Sequence, residues 1–139
     1  MKIEQLGRHI LVEYYNCDKD ILKDYTIIED HMKEAAIVSN ATIVTSCFHK
    51  FNPWGVSGAV IIQESHLTIH TWPEYGYASV DLFTCGDTVN PWLAFKYLED
   101  ALKAERSEST EVARGLVDKV KTFSNGAYDN IQVKHKMEG

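Results

Sequence analysis

The stretch "ESHLTIHTWPEYGYASVDLFTCG", residues 64–86, decides the fold of this chain. Two segments of alternating apolar and polar residues flank "PEYG", whose residue types favour a tight turn. The pattern therefore predicts two antiparallel strands joined as a hairpin. Because side chains alternate between the faces of a strand, one face of the first strand carries His66, Thr68, His70 and Trp72. One face of the second strand carries Ser79, Asp81, Phe83 and Cys85.

The sequence on either side of this hairpin predicts the element order β-α-β-β-β-β-α-β. "TIIEDHMKEAAIVS" has the spacing of a helix, with Thr26 and Glu29 as a capping box and Asn40 as its stop. "NPWLAFKYLEDALKAE" predicts a second helix that Asn90 caps, with an apolar stripe of Trp92, Phe95, Leu98 and Leu102. "SESTEVARG" predicts a last strand, and the residues from about Val117 predict a loosely attached tail. The fold class is α/β, more narrowly α+β: a two-layer sandwich with two main helices on one face of an antiparallel sheet.

Length and composition limit the possible functions. The chain has 139 residues, of which 45% are hydrophobic, and a formal net charge of −6. It is long enough for one domain, residues 1–139, and too short for two ordinary ones. The acidic balance argues against a nucleic-acid partner, and no apolar run is long enough to span a membrane. With no signal-peptide pattern and with three separated cysteines, we expect a cytoplasmic protein with free thiols.

Spacing alone leaves the chemistry open. His66 and His70 on one strand are typical of a polar surface stripe, and a cysteine at a strand end is most often a small buried residue. A zinc site built from His66, His70 and Cys85 is conceivable, but no characteristic metal-ligand spacing supports it, and we expect no metal. The register that would bring His70 and Cys85 together is not determined by the sequence.

Five short segments of the sequence resemble those of a known protein family. "GRH", "FHKF", "GVSG", the hairpin block and "ARG" occur in the order found in bacterial and archaeal S-adenosylmethionine decarboxylases. The chain resembles this family from about Leu6 to Gly115. The resemblance implies a self-cleaving proenzyme, with a β chain of residues 1–64 and an α chain of residues 65–139.

The resemblance also implies how the cofactor arises. Ser65 attacks the carbonyl carbon of Glu64, the amide becomes an ester, and β-elimination cuts the chain. The new terminus of the α chain then becomes a covalent pyruvoyl group derived from Ser65. Ser57 and His70 are associated with this processing, and His70 is the expected base, since imidazole titrates near neutral pH.

In the mature enzyme, the resemblance implies that the pyruvoyl ketone forms a Schiff base with the substrate amine and accepts the electrons of the carbanion. Cys85 would return a proton to that carbon. Phe51, Trp72 and Glu74 would bind the nucleoside of S-adenosylmethionine, a substrate decarboxylated for spermidine synthesis. The expected assembly is a homodimer of the proenzyme and an (αβ)₂ heterotetramer after cleavage, with active sites shared across the dimer interface.

Two alternatives remain open at this point. The same fold and cofactor would also serve a decarboxylase of arginine or ornithine, although the presence of Trp72 and Glu74 argues against it. A non-catalytic paralogue that acts as a binding subunit is expected to lack Ser65, His70 or Cys85, and all three are present.

Overall fold

The computed structural model describes residues 4–124, which form a six-stranded sheet and a layer of helices. In chain order the elements are β1 (Gln5–Tyr15), α1 (Lys19–Leu22), α2 (Tyr25–Val38), β2 (Thr42–Lys50), β3 (Val56–Gln63), β4 (Ser65–Trp72), a 3₁₀ turn (Pro73–Tyr75), β5 (Tyr77–Cys85), α3 (Pro91–Ala101), β6 (Arg106–Leu116) and α4 (Val117–Phe123). The strand order is β2-β3-β4-β5-β1-β6, and every neighbouring pair is antiparallel. The predicted α+β class and its hairpin-rich middle are therefore confirmed.

The core lies between the sheet and the two long helices. Ile10, Leu82, Leu67 and Val60 pair in one row across four strands and are all buried. From the helical layer, Ile28, Met32 and Leu98 are fully buried against this side of the sheet. Burying side chains of this size contributes about 1.5–3 kcal/mol each, so this row fixes which face of every strand points inward.

The opposite side of the sheet is not covered by any helix among residues 4–124. We call this side the open face. It carries the alternate residues of the central strands, which are His9, Leu11, Glu13 and Tyr15 of β1, Ser57, Ala59 and Ile61 of β3, His66, Thr68, His70 and Trp72 of β4, and Tyr77, Ser79, Asp81 and Phe83 of β5. All of these side chains are partly or well exposed. The open face is thus a large, mixed surface of aromatic, polar and charged residues.

The start of α2 differs from the prediction. The cap is Asp24, whose carboxylate accepts hydrogen bonds from the backbone N–H groups of Thr26 and Ile27. Glu29, the expected second member of the capping box, contacts Ser46 and Lys33 instead. The predicted end is correct: Asn40 has a positive φ of 70°, and the N–H groups of Asn40 and Ala41 close the helix on Ile37 and Ala36.

The predicted core role of Trp92 was wrong. In α3 the buried residues are Pro91, Ala94 and Leu98, so the inward stripe begins one position earlier than predicted. Trp92 is consequently 38% exposed. Asn90 caps the helix as expected, by accepting from the N–H of Trp92.

Two short helices were not predicted. Asp18 caps α1, which follows β1 directly. The predicted tail begins with α4, whose Val117 is buried and donates its N–H to the carbonyl of Glu4. The rest of that tail, residues 125–139, lies outside the described residues.

Candidate active site

The side chains expected to act in one reaction fall into two groups, at opposite ends of β4. Ser65 begins this strand and Trp72 ends it. Glu64, Ser65 and Cys85 lie together at the first end, which we call the Ser65 end. Ser57 and His70 lie towards the second end, which we call the His70 end.

The Ser65 end is formed where the β3–β4 connection meets the last residue of β5. Ile62 pairs with Ser65, so Gln63 and Glu64 alone make the turn. The Ser65 hydroxyl Oγ lies 3.1 Å from the Cys85 thiol Sγ, a hydrogen-bonding distance for sulfur. Beside them is a pocket of about 320 Å³ that is lined by Asn40, Thr42, Gln63, Glu64, Cys85, Thr88 and Val89.

The His70 end depends on the pairing of β3 with β4. Ser57 and His70 are directly opposite each other, and the Ser57 Oγ lies 2.8 Å from the His70 Nδ1. His70 is exposed on the open face. A hydroxyl held against an exposed imidazole is suited to moving a proton to or from a group that docks on this face.

Two glycines allow the chain to follow this path around Ser57. Gly55 has a φ of +94°, and a Cβ there would lie 2.9 Å from the carbonyl oxygen of Thr71. At Gly58 an added Cβ would lie 2.0 Å from the ring of Phe48. The close approach at Gly58 is thus made by a buried aromatic side chain on the helical side of the sheet.

The three residues expected to bind the nucleoside also lie at the His70 end. Phe51 follows β2 and makes an edge contact with His49, which pairs with Ser57. Trp72 ends β4, and Glu74 lies in the 3₁₀ turn immediately after it. Phe51 and Trp72 are 48% and 39% exposed, so each has apolar surface available to a ligand.

The Ser65 end and the His70 end do not meet within one chain. His70 pairs with Ser79, whereas Cys85 is at the far end of β5. Five strand positions separate Ser65 from His70, which is about 16 Å at 3.3 Å per residue. Within one chain the register therefore keeps His70 and Cys85 apart, a point that the sequence left open. Within residues 4–124 no three His, Cys, Asp or Glu side chains converge on a metal position, so His66, His70 and Cys85 do not form one.

A charged cluster next to the Ser65 end was not predicted. Arg114 donates to the His9 Nδ1 at 3.0 Å and lies over the ring of Phe83, 5.3 Å from its centroid. The His9 Nε2 faces Asp81 at 3.7 Å. Burial, together with His9, lowers the pKa of the adjacent His66, although Asp81 opposes this shift. "GRH" and "ARG" contain two of these residues, but only the pairing of β1 with β5 and β6 brings them together.

An aromatic contact at the His70 end was also missed. Tyr77 stacks on Trp72, with ring centroids 5.1 Å apart. The turn "PEYG" separates these two residues, so its predicted hairpin would have been sufficient to find the pair.

The chain is similar to known proteins in both sequence and fold. A family model described as S-adenosylmethionine decarboxylase matches residues 8–115. The S-adenosylmethionine decarboxylase proenzyme of Thermotoga petrophila is 58% identical over 118 residues, which cover 85% of this chain and 91% of the relative. The proenzyme of the same name from Thermosipho africanus is 54% identical over 136 residues, covering 98% of this chain and 99% of the relative. The crystal structure of the adenosylmethionine decarboxylase from Aquifex aeolicus covers 82% of this chain and 94% of its own, with a TM-score of 0.77 and 35% identity.

The fold, the two groups of side chains and these matches define an enzyme of the decarboxylase class. The chain belongs to the S-adenosylmethionine decarboxylase family, which confirms the resemblance in the sequence. No helix among residues 4–124 is long and apolar enough to cross a membrane.

Proposed function

We propose that this protein is a proenzyme that cleaves itself between Glu64 and Ser65 and then decarboxylates S-adenosylmethionine. The observation that carries the proposal is that the Ser65–Cys85 pair lies at one end of β4 and the Ser57–His70 pair lies towards the other. Each pair has the chemistry for one part of the reaction, and neither pair is sufficient alone. The names of the relatives support both the proenzyme and the substrate.

The cleavage conserves atoms without an external oxidant. The Ser65 Oγ bonds to the carbonyl carbon of Glu64 and the peptide C–N bond breaks, leaving an ester and a free amine. Loss of the Ser65 Cα proton then breaks the Ser65 Cβ–O bond. This step releases residues 1–64 with Glu64 as the new C-terminus, carrying a free backbone carboxylate. Water replaces the nitrogen of the resulting enamine, and ammonia leaves. A base is needed for the proton transfers, and the hydrogen-bonded Ser57 and His70 supply one.

The residues of the Ser65 end fit a pyruvoyl group. Its position would be at the start of β4, next to the Cys85 thiol and open to the pocket lined by Glu64. Such a group supplies an electron sink for the carbanion that remains when carbon dioxide leaves. Cys85 holds a proton within reach of that position and returns it to the substrate carbon.

The missing half of each site comes from a second copy of the chain. Two sheets that pack face to face lie about 10 Å apart. We place a two-fold axis between the two facing sheets, perpendicular to β4 and level with its middle. This axis turns the β4 strand of one copy end for end over that of the other, so the Ser65 end of one copy meets the His70 end of the other. The proenzyme is thus a homodimer with two shared sites, and cleavage converts it to (αβ)₂. The three free thiols fit a reducing compartment such as the cytoplasm.

Co-expression of two inactive variants tests the shared site. Ser65→Ala and His70→Ala are each expected to remain full length when expressed alone. In a mixed dimer, the Ser65→Ala copy still supplies Ser57 and His70 to the intact Ser65 of the other copy. A tagged His70→Ala chain should therefore be cut into fragments of residues 1–64 and 65–139, detected by intact mass.

The matched control replaces the helper with the double variant Ser65→Ala/His70→Ala, which should give no cleavage. If mixed dimers form but the His70→Ala chain stays whole, the two ends do not meet across copies and the proposal is wrong. Carbon dioxide release from S-adenosylmethionine, arginine and ornithine then tests the substrate. Faster release from either amino acid would contradict S-adenosylmethionine as the substrate and leave the cleavage mechanism standing.

A further inference from the structure

Three aromatic rings form a continuous stack across the open face at the His70 end. Trp72 and Tyr77 lie with ring centroids 5.1 Å apart and planes 29° apart. Tyr77 and Tyr15 follow at 5.7 Å and 24°. The rings come from β4, β5 and β1, so the stack crosses three strands of the sheet. We call it the aromatic ladder.

Carboxylates hold the ladder at two points. The Tyr77 hydroxyl donates to Glu13, and the Tyr15 hydroxyl donates to Glu108 at 3.1 Å. Arg106 in turn holds Glu108 at 3.0 Å. Burial, with the bond to Glu13, raises the pKa of Tyr77 to about 12, so the phenol remains a donor throughout the neutral range. The inner rings therefore have fixed positions, whereas Trp72 at the outer end retains 39% exposure.

We propose that Tyr77 is a positioning residue that sets the plane of the Trp72 indole and thereby the affinity for the nucleoside of the substrate. This inference rests on the proposed function, in which Trp72 binds that nucleoside. An exposed indole that is not held samples several rotamers and must lose them when a ligand binds. A ring already stacked on Tyr77 has lost them in the free protein, so it binds with a smaller entropic cost.

The expected effect falls on binding and not on the chemical step. Tyr77 contacts Trp72, Tyr15 and Glu13, so it acts on a ring that binds the nucleoside and not on a group whose bonds change. Loss of its ring should raise KM for S-adenosylmethionine about 3- to 10-fold, the usual worth of one aromatic pair. The value of kcat should stay within about twofold, because uniform binding is lost equally from the ground and transition states.

The experiment compares Tyr77→Leu with Tyr77→Phe in the processed enzyme. Leucine removes the ring, and phenylalanine keeps the ring while losing the bond to Glu13. We expect a raised KM for the first variant and a nearly normal KM for the second. Tyr75→Leu is the matched control, since Tyr75 is 74% exposed in the adjoining turn and has no ring contact among the described residues.

A double-mutant cycle distinguishes positioning from a separate contact with the substrate. If Tyr77 acts only through Trp72, Tyr77→Leu should add nothing to KM in a Trp72→Ala background. A further rise of several-fold would overturn the proposal. An unchanged KM in Tyr77→Leu, when Trp72→Ala itself raises KM, would also overturn it and leave the proposed function intact. An unchanged KM in Trp72→Ala would instead remove Trp72 from the proposed function and this inference with it.

The orientation of Trp72 can also be measured by fluorescence, in a variant that folds but does not cleave itself. In an uncleaved Ser65→Ala chain that also carries Trp54→Phe and Trp92→Phe, Trp72 is the remaining indole. Acrylamide quenching of its fluorescence should increase with Tyr77→Leu and stay the same with Tyr77→Phe. If neither variant changes the quenching from that of the protein with Tyr77 intact, Tyr77 does not hold the indole.

Discussion

In the proposed mechanism, Cys85 is the residue that stores a proton during turnover. Its thiol is 3.1 Å from the Ser65 hydroxyl, the atom that the proposed cleavage consumes. It is partly exposed, unlike Cys17, whose thiol is buried and has its pKa raised by burial to about 11. Cys47 is also exposed, but it lies in the edge strand β2. The three thiols therefore have different environments, and only that of Cys85 adjoins the cleavage site.

Replacement of Cys85 tests this position. Cys85→Ala should still cleave, because Ser57 and His70 are proposed to provide the base for processing, yet its turnover should fall about 10²- to 10⁴-fold. Intact mass measures the cleavage, and carbon dioxide release measures the turnover. Cys47→Ala is the control and should keep the wild-type turnover. A cleaved Cys85→Ala protein with normal turnover would exclude the thiol as the proton donor.

Among the elements, β4 has the largest part in the site. Its eight residues run from Ser65 to Trp72 and carry one member of each group of side chains. The alternation along this strand predicted which residues share a face. The hydrogen-bonded register with β3 and β5, which decides their neighbours, depends on where the turns close, and the sequence did not reveal it. The Ser57–His70 pair was therefore predicted by resemblance, and its 2.8 Å contact came only from the structure.

The start of α2 shows a second limit of local patterns. Asp24 and Thr26 are both good capping residues, and the sequence pattern favoured Thr26 because Glu29 follows it. The carboxylate of Asp24 instead accepts two backbone N–H groups, and Ser46 of the sheet and Lys33 of the helix contact Glu29. A contact with a distant strand is not visible in a window of four residues.

The cap can be tested by stability. In the uncleaved Ser65→Ala protein, Asp24→Ala should lower the free energy of unfolding by about 1 kcal/mol, since two N–H groups lose their acceptor. Thr26→Ala should change it by less than about 0.5 kcal/mol. Urea denaturation at one fixed protein concentration gives both values, because dimerisation would contribute to them. A larger loss of stability in Thr26→Ala than in Asp24→Ala would show that Thr26 is the capping residue.

In the whole molecule, the open face is where two copies are proposed to meet. Thr68 lies midway between the Ser65 and His70 ends, in a row with Ala59, Asp81 and Leu11. On the proposed two-fold axis, Thr68 of one copy faces Thr68 of the other. Thr68→Lys would place two like charges between the sheets, at a desolvation cost of several kcal/mol.

Thr68→Lys should therefore sediment with the mass of one chain and should fail to cleave, because Ser65 has lost the His70 of its partner. Thr26→Lys makes the same substitution on the helical side and should remain dimeric and cleave normally. Far-ultraviolet circular dichroism checks that each variant is folded. A folded Thr68→Lys protein that keeps both its mass and its cleavage would exclude this face as the interface.

The strand order also determines how long the processed protein can last. Strands from before and after the Glu64–Ser65 bond are interleaved: β2 and β3, then β4 and β5, then β1, then β6. Three neighbouring strand pairs, β3–β4, β5–β1 and β1–β6, would therefore join one fragment to the other by hydrogen bonds. Cutting one peptide bond breaks none of these pairs. Refolding is different, since fragments that have separated must first find each other in solution. Self-cleavage would thus turn a chain that folds by itself into an assembly whose lifetime depends on how slowly it unfolds.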